Sequence, residues 1–250
     1  MISVMLRLIL SVFFYSSCSV FVSRITGLEP LEATGISALV TSLVFYNYYK
    51  IDQEKRGNYP AISLNLKGCV PYIILLGSAF CLLGNNLINI FHLTKLSYGY
   101  VQVQESLYSS PFLIQILCSG LIIPVAEEFI FRGLIYASIR DRLPFLPAAL
   151  ITSLLFALFH GNLPQGVYAF LLGMAMTWVY EACGTLAAAV IFHQAANLLS
   201  LFITKLPGLY NFIASDSRGI TFAVTTCSAI IAVWCILIIK RKTNNKEVSV

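Results

Sequence analysis

The chain has 250 residues, 58% of them hydrophobic and only 11% charged. A soluble domain carries about a quarter charged residues, so this chain cannot cover itself with polar surface in water and reads as an integral membrane protein. Its net charge of +5 is not a nucleic-acid signature, because the basic residues stand beside apolar segments, as membrane topology requires.

Apolar runs of about 17–25 residues mark spanning helices. In chain order they predict about eight, at 3–23, 33–49, 69–92, 110–139, 147–161, 165–183, 185–204 and 219–239. The first carries Arg7 ahead of its LILSVFFYSSCSVFV stretch, is long for a secretory signal and lacks a clean small-residue cleavage site, so it reads as an uncleaved helix. The third ends in the polar stretch NNLINIFH, whose His92 reads as interfacial. The fourth is long, and its latter part is expected at the membrane interface. The fifth is short. Segment 50–68, KIDQEKRGNYPAISLNLKG, is the only sizeable soluble connection expected. No repeat or long linker divides the chain, so residues 1–250 form one all-α polytopic domain.

The cysteines number seven, with no CxxC pair. An odd count in mostly apolar runs points to small packing residues and not to a disulfide framework.

Charge asymmetry sets orientation. With the N-terminus in the cytoplasm, the inner side collects Arg7, Lys50, Lys55, Arg56, Lys67, Arg140, Arg142, Lys240, Arg241, Lys242 and Lys246. The outer side keeps Arg24, Lys95, Lys205 and Arg218. The bias of eleven to four predicts both termini in the cytoplasm. The tail KRKTNNK would touch anionic headgroups.

Ionisable groups inside spanning helices are costly, about 2.5 to 3.5 kcal/mol each at a helix centre, and those that persist are functional candidates. Here they cluster in three places. EEFIFR carries Glu127, Glu128 and Arg132; FALFH carries Phe156 and His160; HQAAN carries His193 and Asn197. Glu128 and Arg132 are four apart, share a helix face and can pair. Glu127 is turned about 100° away and is left to face a cavity. Gly133 would allow a bend or a close helix approach. Glu181, near the end of the sixth helix, reads as solvated.

Depth agrees across the three blocks. At 1.5 Å per residue, Glu127 lies roughly 20 Å from Arg140, His160 roughly 20 Å from Pro147 and His193 roughly 12 Å from Thr185. Helices running in opposite directions thus bring these groups to a similar level, in the cytoplasmic half or near the midplane.

Such a set suits hydrolysis without a protein nucleophile. A carboxylate in a dry pocket can take a proton from water near neutral pH. A histidine across from it can hold that water, and a histidine with an asparagine amide can steady an oxyanion. Glu127, His160 and His193 could instead hold a divalent metal such as zinc in a three-ligand site, although the compact HExxH arrangement is missing. Two other classes are open: a proton-coupled carrier using the same residues as a relay, and a non-catalytic binding protein, such as an immunity factor or a sensor scaffold.

Together the three blocks resemble the CPBP family of intramembrane proteases, the CAAX protease and bacteriocin-processing or Abi family. Its pattern is EExxxR, FxxxH and HxxxN on successive helices, over residues 110–205 of this chain. The resemblance implies an eight-helix fold with a cavity open to the cytoplasm that cuts peptide bonds. Glu127 would be the general base, His160 would help bind the water, and His193 with Asn197 would form the oxyanion site. Glu128, Arg132 and Phe156 would support the pocket. It further implies a peptide or membrane-anchored protein as substrate.

Overall fold

A computed structural model describes residues 2–58, 62–64, 66, 68–213 and 217–244. Lys67, Lys246 and part of the 50–68 segment lie outside the described residues. Every regular element among the described residues is helical. In chain order they are α1 (Ile2–Thr26), α2 (Pro30–Lys55), α3 (Val70–Ile90), a short 3-10 turn (Leu93–Leu96) and α4 (Tyr98–Ser109). A long composite helix α5 (Phe112–Arg140) follows. The chain continues with α6 (Phe145–Phe159), α7 (Leu163–Cys183), α8 (Leu186–Lys205), α9 (Pro207–Ile213) and α10 (Arg218–Asn244).

Each of the expected spans has a helix. Six helices (α1, α3, α5, α7, α8 and α10) are long and apolar enough to cross a membrane. The chain is a multi-pass membrane protein. The other two expected spans, α2 and α6, are helices too. α2 carries a charged end, IDQEK, and α6 has only 15 residues.

Polar termini are closed locally. Glu29 and Glu32 form a capping box at the start of α2. Asn162 caps α7 by accepting from the Gln165 backbone N–H at 3.0 Å. The turn between α6 and α7 passes through Gly161 at φ 69, a left-handed conformation that a side chain would strain.

The helices run back and forth between two faces. On one, here the terminal face, α1 begins and α10 ends. Arg7 meets Ser138 there at 2.8 Å, Arg56 binds both Asp141 oxygens, and Arg140 binds Glu181 at 2.9 Å. Glu181, expected to be solvated, is thus held between Arg140 and Tyr136. The opposite face carries the α3–α4 connection, the α6–α7 turn and α9. α3 packs on α8 and α10, and α6 packs on α7. α1 and α10 leave large apolar side chains such as Phe13, Phe21, Phe222 and Val233 exposed, as lipid-facing helices do.

In the latter part of α5, residues 129–139 are all buried among other helices, and Ser138 meets Arg7 at the terminal face. One expectation is corrected: 50–68 is not the only sizeable connection. Its first part continues α2, and residues 91–111 form a second one containing α4.

α5 is not uniformly α-helical. It widens to π-helix at Ile116–Ile122 and again at Phe129–Tyr136, around an α-helical Ile123–Glu128. Pro124 lacks a backbone N–H and crowds the preceding turn. The wider turn just before it absorbs that mismatch.

Candidate active site

The three polar blocks meet. Glu127, Phe156, His160, His193 and Asn197 line one cavity of about 840 Å³. α5 contributes Glu127, the end of α6 contributes Phe156 and His160, and α8 contributes His193 and Asn197. Glu127 keeps 7% of its surface exposed, while Glu128 and Arg132 keep none.

Glu128 and Arg132 pair as their spacing predicts, with Arg132 Nη1 donating to Glu128 Oε1 at 2.9 Å. Arg132 also donates from Nη2 to the Gly173 carbonyl on α7 at 3.1 Å. Its guanidinium lies 4.6 Å from the centre of the Phe156 ring. A Cβ on residue 173 would sit 3.1 Å from Ser153 Oγ and 3.2 Å from Arg132 Nη2, so glycine there lets α7 come close enough to accept the arginine. Gly133 likewise admits the Tyr49 ring of α2 against α5. A buried charge is stable only when paired and hydrogen-bonded. Arg132 meets that condition through a carboxylate, a carbonyl and an aromatic face.

His193 sits between the two glutamates. Its Nδ1 donates to Glu128 Oε1 at 2.9 Å, and its Nε2 stands 3.7 Å from Glu127 Oε2. The carboxylate on Nδ1 fixes that nitrogen as a donor and turns Nε2 toward the cavity. His160 is oriented in a similar way. Its Nδ1 donates to its own helix at the Phe156 carbonyl, 2.8 Å away, leaving Nε2 as the other ring nitrogen. The Phe156 ring stands edge-on between the imidazoles, 4.8 Å from His160 and 5.9 Å from His193 by centroid.

Asn197 donates from Nδ2 to the Ser119 carbonyl at 2.9 Å. Ser119 lies in the first widened stretch of α5. The sequence reading missed Ser119 and Gly173, because both contribute backbone oxygens and a carbonyl has no residue-type signature. It also missed the His193–Glu128 contact, having placed Glu128 with Arg132 alone.

The donors do not assemble the metal site that the sequence left open. Among the described residues no three His, Cys, Asp or Glu groups converge closely enough to hold a metal ion. Glu127, His160 and His193 share a wall, and each histidine's Nδ1 is held by a protein partner, leaving Nε2 as the other ring nitrogen.

The cavity opens away from the terminal face. Its walls reach Thr94, Tyr210 and Ile213, all in the α3–α4 connection or α9. Toward the terminal face the packing is closed: Ile135, Met176, Val179 and Ala189 are fully buried. Cytoplasmic termini and a cavity in the cytoplasmic half were both expected. The cavity opens on the face opposite the termini, so cytoplasmic termini and an opening to the cytoplasm do not hold together in this structure.

Residues 109–199 match the family described as Type II CAAX prenyl endopeptidase Rce1-like. Over this segment the chain is similar to that family. UPF0177 protein YxdF of Lactococcus lactis subsp. lactis (strain IL1403) is 35% identical over 97 residues, 38% of this chain and 53% of that protein. The chain therefore spans about half the length of that relative. The protein named "Putative membrane peptidase YdiL", of Bacillus subtilis (strain 168), is 20% identical over 182 residues, 73% of each chain. No solved structure matches. The matched segment contains Glu127, Glu128, Arg132, Phe156, His160, His193 and Asn197, and it supplies the cavity's glutamate and both of its histidines.

Proposed function

We propose that the protein is an intramembrane endopeptidase in which Glu127 activates water against a peptide bond. The observation that carries this reading is the convergence of Glu127, His160, His193 and Asn197 on one cavity within an Rce1-like segment. Glu127 is the cavity carboxylate without an arginine partner, so its oxygens are available to take a proton from water. His160, with Nδ1 held by a carbonyl, offers Nε2 to the same water. Attack on the scissile carbonyl builds a negative oxygen. The second N–H of Asn197 Nδ2 would donate to it, with His193 beside it as the other member of the oxyanion site. Glu127 then returns the proton to the leaving amine. Glu128 and Arg132 touch no substrate; they hold His193 and the α5–α7 contact in place. The substrate is a peptide or a membrane-anchored polypeptide.

The test is cleavage in proteoliposomes. The parental protein and the Glu127→Gln and His160→Ala variants are compared after their folding has been checked by thermal unfolding in detergent. Peptides that accumulate uncut with Glu127→Gln identify the substrate by mass spectrometry. Cleavage at the parental rate by both folded variants would refute the assignment.

A further inference from the structure

Two independent features of the molecule bear on which compartment supplies the substrate. One is the direction in which the cavity's lining reaches a face, and the other is the distribution of charge between the two faces. Taking the peptidase reading above as given, we infer that the catalytic cavity opens on the extracytoplasmic side and takes an uncharged stretch of polypeptide from there.

The terminal face carries Arg7, Lys50, Lys55, Arg56, Arg140 and Arg142, with Lys240, Arg241 and Lys242 at the end of α10. The cavity face carries Arg24, Lys95, Lys205 and Arg218. All these residues stand in short connections or within a turn or two of a helix end, where lysine and arginine govern orientation. The bias therefore holds the terminal face in the cytoplasm. The sealed packing around Ile135, Met176 and Val179 denies that face a path to Glu127. The path that exists runs past α4 to Thr94 and Tyr210.

Three features make this vestibule. α6 is only 15 residues long and gives way to the α6–α7 turn after Phe159. α4 and the 3-10 turn pack over it against α7. Gly99 of α4 faces Asn162 of that turn, with 3.9 Å available to a Cβ. The walls between this roof and Glu127 carry Asn85, Asn89, Gln104, Gln115, Tyr100 and Tyr108. Amides and phenols offer donors and acceptors to a peptide backbone. Beyond the catalytic residues, Lys205 is the lining residue with a formal charge, and its ammonium lies 5.4 Å from the Phe112 ring. Between Lys205 and the catalytic groups the wall is neutral, so a charged substrate side chain lying along it would leave water without a counter-charge beside it. A neutral segment avoids that loss.

The orientation is tested by labelling the full chain with a membrane-impermeant maleimide in intact cells. Lys95→Cys reports the cavity face, Lys50→Cys the terminal face, and the parental chain gives the background of its native cysteines. The expected result is that Lys95→Cys reacts in intact cells while Lys50→Cys reacts only after permeabilisation. Lys95→Cys that needs permeabilisation, or Lys50→Cys that does not, overturns the orientation. Labelling requires no turnover, so its outcome is independent of the Glu127→Gln cleavage assay. The substrate class is tested with right-side-out membrane vesicles and quenched fluorogenic peptides added outside. Uncharged peptides should be cut, with cleavage lost when lysine or glutamate is placed beside the scissile bond. Equal cleavage of the charged peptides, or cleavage by inside-out vesicles alone, overturns it.

Discussion

Oε1 of Glu128 accepts from Nδ1 of His193 and also from Arg132, each at 2.9 Å. One carboxylate oxygen therefore couples a buried ion pair to an imidazole on the cavity wall. It also separates the adjacent glutamates by role, since Glu127 faces the cavity and Glu128 the packing.

That separation should appear when stability and activity are measured together. Glu128→Gln leaves a fully buried arginine without its counter-charge, and breaking such a pair costs about 3–5 kcal/mol. The expected outcome is a lower midpoint of thermal unfolding in detergent together with reduced cleavage. Glu127→Gln removes a charge that has no arginine partner. It should abolish cleavage with the midpoint unchanged or raised.

Gly173→Ala should perturb the same layer from α7. Its new methyl would press on Ser153 and Arg132. Overpacking of this kind costs about 1–3 kcal/mol, and the midpoint should fall although no charged group is altered. Gly208→Ala, in α9 with open space around it, is the control and should leave the midpoint in place.

Asn197→Asp keeps the side chain's shape but replaces the amide donor with a carboxylate facing the Ser119 carbonyl. If the amide steadies the oxyanion, kcat should drop by about 100- to 1000-fold, the effect of losing one such donor, with a smaller change in KM. A change confined to KM would assign Asn197 to substrate binding.

A pH effect is expected outside the membrane, at the terminal face. Arg56 binds Asp141 through both carboxylate oxygens and holds its carboxyl below the usual range. A depressed carboxylate contributes stability that is fully present above its unfolded pKa and is lost as pH falls through the folded value. Asp141 is 46% exposed, so salt screens the pair. The midpoint difference between the parental protein and Asp141→Asn should be present near neutral pH, shrink on acidification below the ordinary carboxylate range, and shrink with added salt.

The donor geometry predicts a chelator result. Since three metal-binding groups do not converge among the described residues, cleavage should persist after dialysis against EDTA. Loss of activity that returns with zinc would show that Glu127, His160 and His193 close together on substrate binding.

The six helices long and apolar enough to cross a membrane were legible as apolar runs, because the bilayer demands a fixed length of hydrocarbon-compatible chain whatever the tertiary packing. The Glu128–Arg132 pair was legible because residues four apart on a helix are neighbours without help from the rest of the fold. Even the two widened stretches of α5 did not disturb it. α4 escaped notice: its YGYVQVQES pattern is too polar for a span and too short to announce itself beside the helices around it.

By itself the sequence determined the class of the protein, its spans, its charge bias and the residue types of the site, since each depends on composition or on spacing within one helix. Only the tertiary structure decided that His193 stands between Glu127 and Glu128, that Asn197 and Arg132 reach the carbonyls of Ser119 and Gly173, and that the cavity opens away from the termini. Those relationships depend on which helices touch and where α6 stops, and contacts between distant segments leave no period in the chain.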